Sequence, residues 1–296
     1  MTITPLPQQI TIGTHSKHPI IVNRLGYGTM RLTGEGIYGE PANRPEALAI
    51  LKEAVDSGIR FFDTADYYGE DVTNRLIKEA LYPYPPDILI CTKVGATRMP
   101  DKSWVPFNSP DNIRTAIENN LRTLQLEQIS LVHCRVMPVS DMPFEKSLEA
   151  LFQLQQEGKV LHVGISNVTR EQMKTALQMG PIATVENMYG HGQRTTLKSP
   201  HGENRGGEEL LDLCENNQIP LIPYFSLVNA LPKQNNHIQA IADKYQATVA
   251  QVNIAWLLHR SPWILPIPGT SSLAHFRENM KAVALKLTHE EMSLLE

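Results

Sequence analysis

Eight times along this chain a short apolar run gives way to a segment with helical periodicity. The runs lie at 24–29, 60–64, 88–94, 130–135, 160–165, 183–187, 219–225 and 264–267. Between them fall amphipathic stretches such as PEALAILKEAVDSG (45–58), DNIRTAIENNLRTLQL (111–126) and EKSLEALFQLQQEG (145–158). In the first of these, Ala47, Leu48, Leu51, Ala54 and Val55 recur at the spacing of one helix face. A strand that follows a helix after every strand runs parallel to its predecessor, because parallel pairing requires a crossover. Eight such units close most simply into a (β/α)8 TIM barrel, an α/β fold; an open doubly wound sheet is the alternative. The 296 residues suit one barrel domain of about 250 residues with added loops, and no linker or repeat divides 1–296. Before the first unit, QITIG and IIVN alternate around a polar turn at His15–Pro19, which predicts an N-terminal β-hairpin over 9–23. Gly58, Gly158 and Gly180 fall just past helical segments, where a left-handed cap favours glycine.

Composition narrows the class. A net charge of −4 with no clustered Lys/Arg face argues against a nucleic-acid partner. No apolar run reaches the ~20 residues that cross a bilayer, and MTITPLPQQ lacks the basic start and apolar stretch of a signal peptide. Cys91, Cys134 and Cys214 are odd in number and lack metal-ligand spacing, so they read as buried thiols in a reducing compartment. The expectation is a cytoplasmic enzyme, a monomer or weak homo-oligomer, with no membrane, nucleic-acid or metal site. A literal G-x-G-x-x-G, GEGIYG at 34–39, is followed by Pro41 and Asn43 rather than opening a helix, so it reads as a loop after strand one.

Chemistry gathers at the strand ends. FFDTADYYGE (61–70) turns from a buried strand to polar residues at Asp63, with Tyr68 in the loop beyond; strand three ends at Lys93 and strand four at His133. Each has a bland reading: Asp as a turn former, Tyr as packing, Lys reaching for solvent, His satisfied in the core. In a barrel, however, all these ends share one rim. Together they form an acid–base set in which a buried Lys–Asp pair lowers the pKa of a phenol, and His orients the same carbonyl oxygen.

The motifs FFDTADYYG, CTKVG, LVHCR, GISN and IPGTSSLAHFRENM, in this order, resemble those of the aldo-keto reductase superfamily from about Arg24 to Glu296. The resemblance implies reduction of an aldehyde or ketone, a small-molecule carbonyl substrate, with NADP(H) bound across the barrel mouth. It implies Tyr68 as general acid, Lys93 and Asp63 as its supporting pair, and His133 as the carbonyl-orienting residue. Ser166, Asn167 and Glu186 resemble the residues that hold the nicotinamide carboxamide, with Glu186 where many relatives have Gln; Tyr224 resembles the ring that stacks on it. Gly28, Thr29, Met30, Asp63, Phe225, Ser226 and Leu227 complete the implied cofactor set near the ring. Gly269, Thr270, Ser271, Ser272, His275, Glu278 and Asn279 resemble the adenosine and 2′-phosphate site. The stretches 23–41, 73–84, 103–106 and 270–280 resemble a bacterial branch that acts on pyridoxal, and Tyr67 and Trp104 are placed to flank a flat ring. Family members that sense nicotinamide as regulatory subunits, or that reduce C=N or C=C bonds, supply the alternative functions. Loops 95–110 and 189–207 are expected to wall the pocket.

Overall fold

Alternation of apolar residues over 9–23 produces a two-stranded antiparallel hairpin. In a computed structural model, which describes residues 8–137, 139–192, 207–227 and 236–295, β1 (Gln9–Ile12) pairs with β2 (Ile20–Asn23). Ile10, Ile12 and Val22 turn inward and pack with Phe61, Leu89, Cys91, Leu131, Ala183, Ile222 and Leu265, residues contributed by successive barrel strands. The hairpin therefore stoppers one end of the barrel. Any ligand must enter at the other.

The barrel begins with β3 (Tyr27–Gly28), which passes at once into a 3-10 turn at Thr29–Leu32, so strand one is shorter than the apolar run at 24–29 predicts. There follow α1 (Arg44–Asp56), β4 (Phe61–Asp63), α2 (Val72–Leu81), β5 (Leu89–Arg98), β6 (Trp104–Phe107), α3 (Pro110–Leu124), β7 (Ile129–Arg135), α4 (Phe144–Gln156), β8 (Val160–Ser166) and α5 (Arg170–Met179). The second half holds β9 (Val185–Met188), α6 (Glu208–Asn216), β10 (Leu221–Tyr224), α7 (Asn236–Lys244), α8 (Val249–Arg260), α9 (Leu273–Lys281) and α10 (His289–Leu294). The sheet order is β3-β4-β5-β7-β8-β9-β10, each neighbour parallel. Beside this sheet β6 pairs antiparallel, folding back on an extended β5 where the sequence predicts a loop over 95–110.

The eighth strand position is filled by residues 263–267 without a continuous ladder. Leu221 N donates to Trp263 O (2.8 Å), Leu265 N to Leu221 O (2.9 Å) and, on the other edge, Gly26 N to Pro266 O (2.9 Å). Pro266 and Pro268 have no N–H to offer, which explains why the bonds are isolated. Strand one and this segment meet closely at their tops. A Cβ on Gly269 would lie 2.4 Å from Gly28 O, so glycine is required there by space.

Helices cover the outer face through their apolar stripes, with Ile50, Leu51, Leu76 and Ile77 on one side and Ile113, Leu148, Leu151 and Met173 on the other, all fully buried. Each such side chain contributes about 1.5–3 kcal/mol by leaving water. Helix starts are fixed by Ser109 and by reciprocal Thr–Gln or Thr–Glu caps at Thr169, Thr248 and Thr288. Gly58 and Gly158 take positive φ after α1 and α4 as expected. Gly180 does not: its φ of 173° is extended, and it is small because a Cβ would meet Phe152 Cζ at 2.6 Å.

Candidate active site

Asp63 ends β4, and the chain then turns sharply through Gly69, Glu70 and Asp71, all with positive φ, before α2 begins. A buried polar network holds this turn. Thr64 Oγ1 lies 2.8 Å from Thr73 Oγ1 and 2.9 Å from Asn74 Oδ1; Asn74 Nδ2 and Thr92 Oγ1 both donate to Asn120 Oδ1 of α3, at 2.9 and 2.7 Å. These hydrogen bonds join the loop bearing Tyr67 and Tyr68 to β5 and α3. None of the four network residues beyond Thr64 is visible as functional in the sequence, because their partners are far apart along the chain.

Lys93, on β5, is wholly buried, and its ammonium donates to Asp63 Oδ1 at 2.5 Å and to Thr64 O at 3.1 Å. It also lies 3.4 Å from Glu186 Oε1 and 5.0 Å from the centroid of the Tyr68 ring. Burial by itself lowers the Lys93 pKa, but Asp63 and Glu186 outweigh it and hold the ammonium well above the ordinary lysine value. Two carboxylates facing one ammonium cannot both ionise easily. Burial, then repulsion from Glu186, pushes Asp63 well above the usual carboxylate range. Tyr68 differs from the expectation that Lys93 brings its pKa below that of a free phenol. Burial raises it on balance, and Lys93 and Arg135 pull against that rise. Tyr68 therefore keeps its proton at neutral pH.

His133 and Arg135 are two residues apart on β7, so both face the barrel interior, with Arg135 one layer nearer the rim. The strand ends at Arg135, as the run at 130–135 predicts, so His133, expected at its very end, stands two residues inside it. His133 has no exposed surface: Nε2 lies 2.7 Å from Thr184 Oγ1, and Nδ1 lies 2.9 Å from Glu186 Oε2 and 3.3 Å from Cys91 Sγ. Its ring packs over Gly164, whose absent Cβ would stand 2.3 Å from Cδ2. Desolvation lowers its pKa, so it is neutral. The structure thus brings Asp63, Tyr68 and Lys93 together and sets His133 behind them, with Arg135 on the cavity wall. Alternation along the strand is the signal that points to Arg135. Asp63, Cys91, His133 and Glu186 bring one ligand-type atom each within 4.8 Å of one another, and the cation lodged against two of them is Lys93.

A cavity of about 250 Å3 opens over this cluster. Asp63, Tyr68, Glu186, Arg135 and Trp104 line its inner part, and Gly28, Met30, Tyr224, Phe225, Ser226, Leu227 and Gly269 line the rest. Trp104 reaches it from β6, in edge contact with Tyr67 at 5.4 Å between centroids. Tyr67 is buried, in edge contact with Tyr68, and its hydroxyl has no hydrogen-bond partner among the described residues. Thr29 is buried behind the wall, donating to Asp63 O. Ser166, at the top of β8, carries a buried hydroxyl without a partner among the described residues, the state expected where a bound amide completes the bonding. With Tyr224 on the cavity wall nearby, these groups fit the nicotinamide end of NADP(H). Asn167 has positive φ; its amide donates to Val136 O (2.8 Å) and accepts from the Tyr224 hydroxyl (3.0 Å). It therefore fixes the Tyr224 ring.

The segment 269–279 leads from strand eight into α9. Thr270 O accepts from Tyr27 OH and Thr270 Oγ1 from Ser272 N, while Ser272 Oγ caps the helix by accepting from His275 N. Ser271 and His275 are exposed, Glu278 is half-buried and receives Gln251 at its carbonyl, and Asn279 is buried. Two features bear on an anion here. Arg277 is tied to both oxygens of Glu53, at 2.6 and 2.8 Å, and Glu46 Oε1 accepts from Leu273 N at 2.9 Å. Of the two expected wall loops, 95–110 supplies Trp104; 193–206, most of the other, lies outside the described residues.

Comparison with known proteins agrees with this geometry. The Aldo/keto reductase family profile matches residues 24–296. The pyridoxine 4-dehydrogenase of Escherichia coli (strain K12) is 42% identical over 291 residues, covering 97% of this chain and 96% of that protein. A probable aldo-keto reductase of Glycine max is 29% identical over 316 residues, covering 96% and 87%. Among solved structures, a thermostable aldo-keto reductase crystallised with the inhibitor epalrestat superposes with a TM-score of 0.79 at 28% identity, covering 97% of this chain and 98% of that one. An aldo/keto reductase from Klebsiella pneumoniae, crystallised with NADP and acetate, superposes with a TM-score of 0.76 at 24% identity, covering 97% and 94%.

Proposed function

The chain belongs to the aldo/keto reductase family, and from that premise we propose that it reduces pyridoxal and related aromatic aldehydes to alcohols, with Tyr68 as the proton donor. The observation that carries the reading is a protonated phenol on the cavity wall with a buried ammonium 5.0 Å from its ring. When bound, NADP(H) supplies the hydride that the carbonyl carbon accepts. Ser166, Glu186 and Tyr224 would hold its nicotinamide, and the segment at 269–279 its adenosine end.

The protein's own residues govern the proton. As the carbonyl oxygen gains charge, the Tyr68 hydroxyl donates to it. Because the developing alkoxide is far more basic than a phenoxide, donation is favourable even from a phenol with a raised pKa. The phenoxide left behind is stabilised by Lys93, which Asp63 holds in place by accepting a 2.5 Å hydrogen bond. Burial of the whole set excludes water and strengthens each electrostatic contact. Pyridoxal is supported by the E. coli relative and by Trp104, an aromatic side chain that lines the cavity.

The test is a panel of carbonyl compounds with NADPH, pyridoxal included, followed by the fall in reduced-nicotinamide absorbance. Pyridoxal is expected to lead the panel, and a rate no higher than that of 4-nitrobenzaldehyde removes it as substrate. Tyr68→Phe is expected to cost about 10²–10⁴-fold in kcat/KM with NADPH binding retained, and a loss within about threefold removes Tyr68 from its role.

A further inference from the structure

Arg135 is a charged side chain in the cavity that the chemistry so far does not use. It is the last residue of β7 and lines the same space as Tyr68, Trp104 and Glu186. Its guanidinium lies 5.9 Å from the Trp104 ring centroid. Among the described residues it makes no hydrogen bond, and its Nε is buried without a partner. A guanidinium carries five N–H donors in a planar fork; Arg135 is half-buried, its Nε–H is buried and costly to leave unmet, and its remaining donors are free to meet a ligand in the cavity. The contrast with Arg98 and Arg24 lies in the terminal nitrogens: Arg98, whose Nε is likewise unpartnered among the described residues, gives both of its terminal nitrogens to backbone carbonyls, and Arg24 also donates to backbone carbonyls. Arg135 keeps its donors for something that arrives.

The position narrows what that is. The cofactor's phosphates belong at the far end, by the start of α9, whereas Arg135 stands beside the phenol that faces the reacting oxygen. Carboxylates would satisfy a guanidinium, but Glu186 is drawn instead toward Lys93 and His133. The planar fork of arginine favours two acceptors lying side by side in one plane. An aromatic aldehyde bearing an ortho hydroxyl presents such a pair, the carbonyl oxygen and the adjacent phenolate. We propose that Arg135 binds this phenolate, making the site selective for aromatic aldehydes with an ionised hydroxyl ortho to the carbonyl. Pyridoxal, with its 3-hydroxyl beside the 4-aldehyde, is one member of the class, so the inference deepens the preceding reading and rests on it. The same contact turns the carbonyl oxygen toward Tyr68 and fills the place at the rim that His133, packed behind, does not reach. Trp104 then covers the ring that the guanidinium orients.

Matched substrate pairs test this: 2-hydroxybenzaldehyde against benzaldehyde, at a pH alkaline enough to ionise the hydroxyl of the former, and pyridoxal against pyridine-4-carboxaldehyde, each assayed as kcat/KM with NADPH. The wild-type protein is expected to favour the hydroxylated member by at least about tenfold, and an absent preference overturns the proposal with no variant needed. Arg135→Gln is expected to lower all four efficiencies but to cut the hydroxylated-to-plain ratio by about 30-fold, mainly through KM. Arg135→Lys, which keeps the charge but not the fork, is expected to recover part of that ratio. Equal losses on both members of each pair, with NADPH binding retained, show a merely structural arginine and overturn the proposal. The two readings fail separately. A wild-type preference for 2-hydroxybenzaldehyde that the variant loses, without turnover of pyridoxal, keeps the anchor and removes the substrate. Turnover of pyridoxal that Arg135→Gln leaves in the same ratio to pyridine-4-carboxaldehyde keeps the substrate and removes the anchor.

Discussion

Glu186→Gln should move the pH profile of the enzyme to lower pH. The substitution preserves shape and removes one buried charge from a cluster of Lys93, Asp63, Glu186 and Arg135. Glu186 Oε1 lies 3.4 Å from Lys93 Nζ, which is 5.0 Å from the Tyr68 ring, so the carboxylate oxygen is no more than about 8 Å from the ring. At that separation and an effective dielectric constant of ~20, a unit charge is worth about 2 kcal/mol, or roughly 1.5 pH units on a neighbouring titration. Part of this is lost because Asp63, relieved of repulsion, ionises more readily in the variant. About one pH unit is the expected net change. The sign follows from charge: a carboxylate disfavours phenoxide, so removing it lowers the Tyr68 pKa. Alcohol oxidation needs Tyr68 deprotonated, so its rising limb moves down in pH; carbonyl reduction needs the proton, so its falling limb moves down with it. Measuring kcat/KM in both directions from about pH 8 to the alkaline limit of the folded protein reads both limbs, because a raised Tyr68 pKa places them above the free-phenol value of about 10. A limb that moves upward, or stays within about 0.3 pH unit, refutes the assignment of that limb to Tyr68 under Glu186's influence.

Two further substitutions probe the surroundings. Gly164→Ala should destabilise the fold by about 1–3 kcal/mol, because a Cβ would fall 2.3 Å from His133 Cδ2 and 2.6 Å from Thr184 Oγ1, and His133 is held on both sides. Thermal unfolding checks it, and an unchanged Tm would show that the ring can move. Glu46→Gln should improve NADPH affinity about three- to tenfold while leaving NADH alone, since the carboxylate now sits on Leu273 N at the helix start proposed for the 2′-phosphate. Titration of nicotinamide fluorescence measures both, and an equal change for NADH places the 2′-phosphate elsewhere.

The barrel was legible because its determinants are local. Helical spacing in residues 45–58 and apolar runs such as 160–165 each depend on neighbours in sequence, and their repetition fixes parallel order. Strand eight was legible as apolar, but Pro266 and Pro268 replace its ladder with single bonds. The β6 return was not legible, since Trp104–Phe107 contains Pro106 and pairs only because β5 continues to Arg98. At the site, Asp63, Lys93 and Tyr68 stood out as polar residues at strand ends. His133 stood out equally, yet which of His133 and Arg135 meets the cavity depends on how far β7 runs, a property of its neighbours β5 and β8. Thr73, Asn74 and Asn120 carried no functional signal at all. Their role exists only once four elements meet.

Arg98 leaves a consequence for how the cavity receives a guest. Its guanidinium donates to Ile37 O, Gly36 O and Lys102 O at 2.9, 2.8 and 2.6 Å and lies 4.2 Å from the Trp104 ring centroid. One side chain thereby rivets the β5–β6 return to the loop after strand one. The indole that faces the cavity is ordered before any ligand comes, so the loss of freedom occurs during folding and not on association. Binding of a flat aldehyde should then be calorimetrically quiet in its ordering entropy. At the tip between the rivets, Asp101 is held by accepting from Ser103 N, whereas the exposed Met99 side chain is free to vary without disturbing the wall, which gives evolution an adjustable rim on a fixed frame.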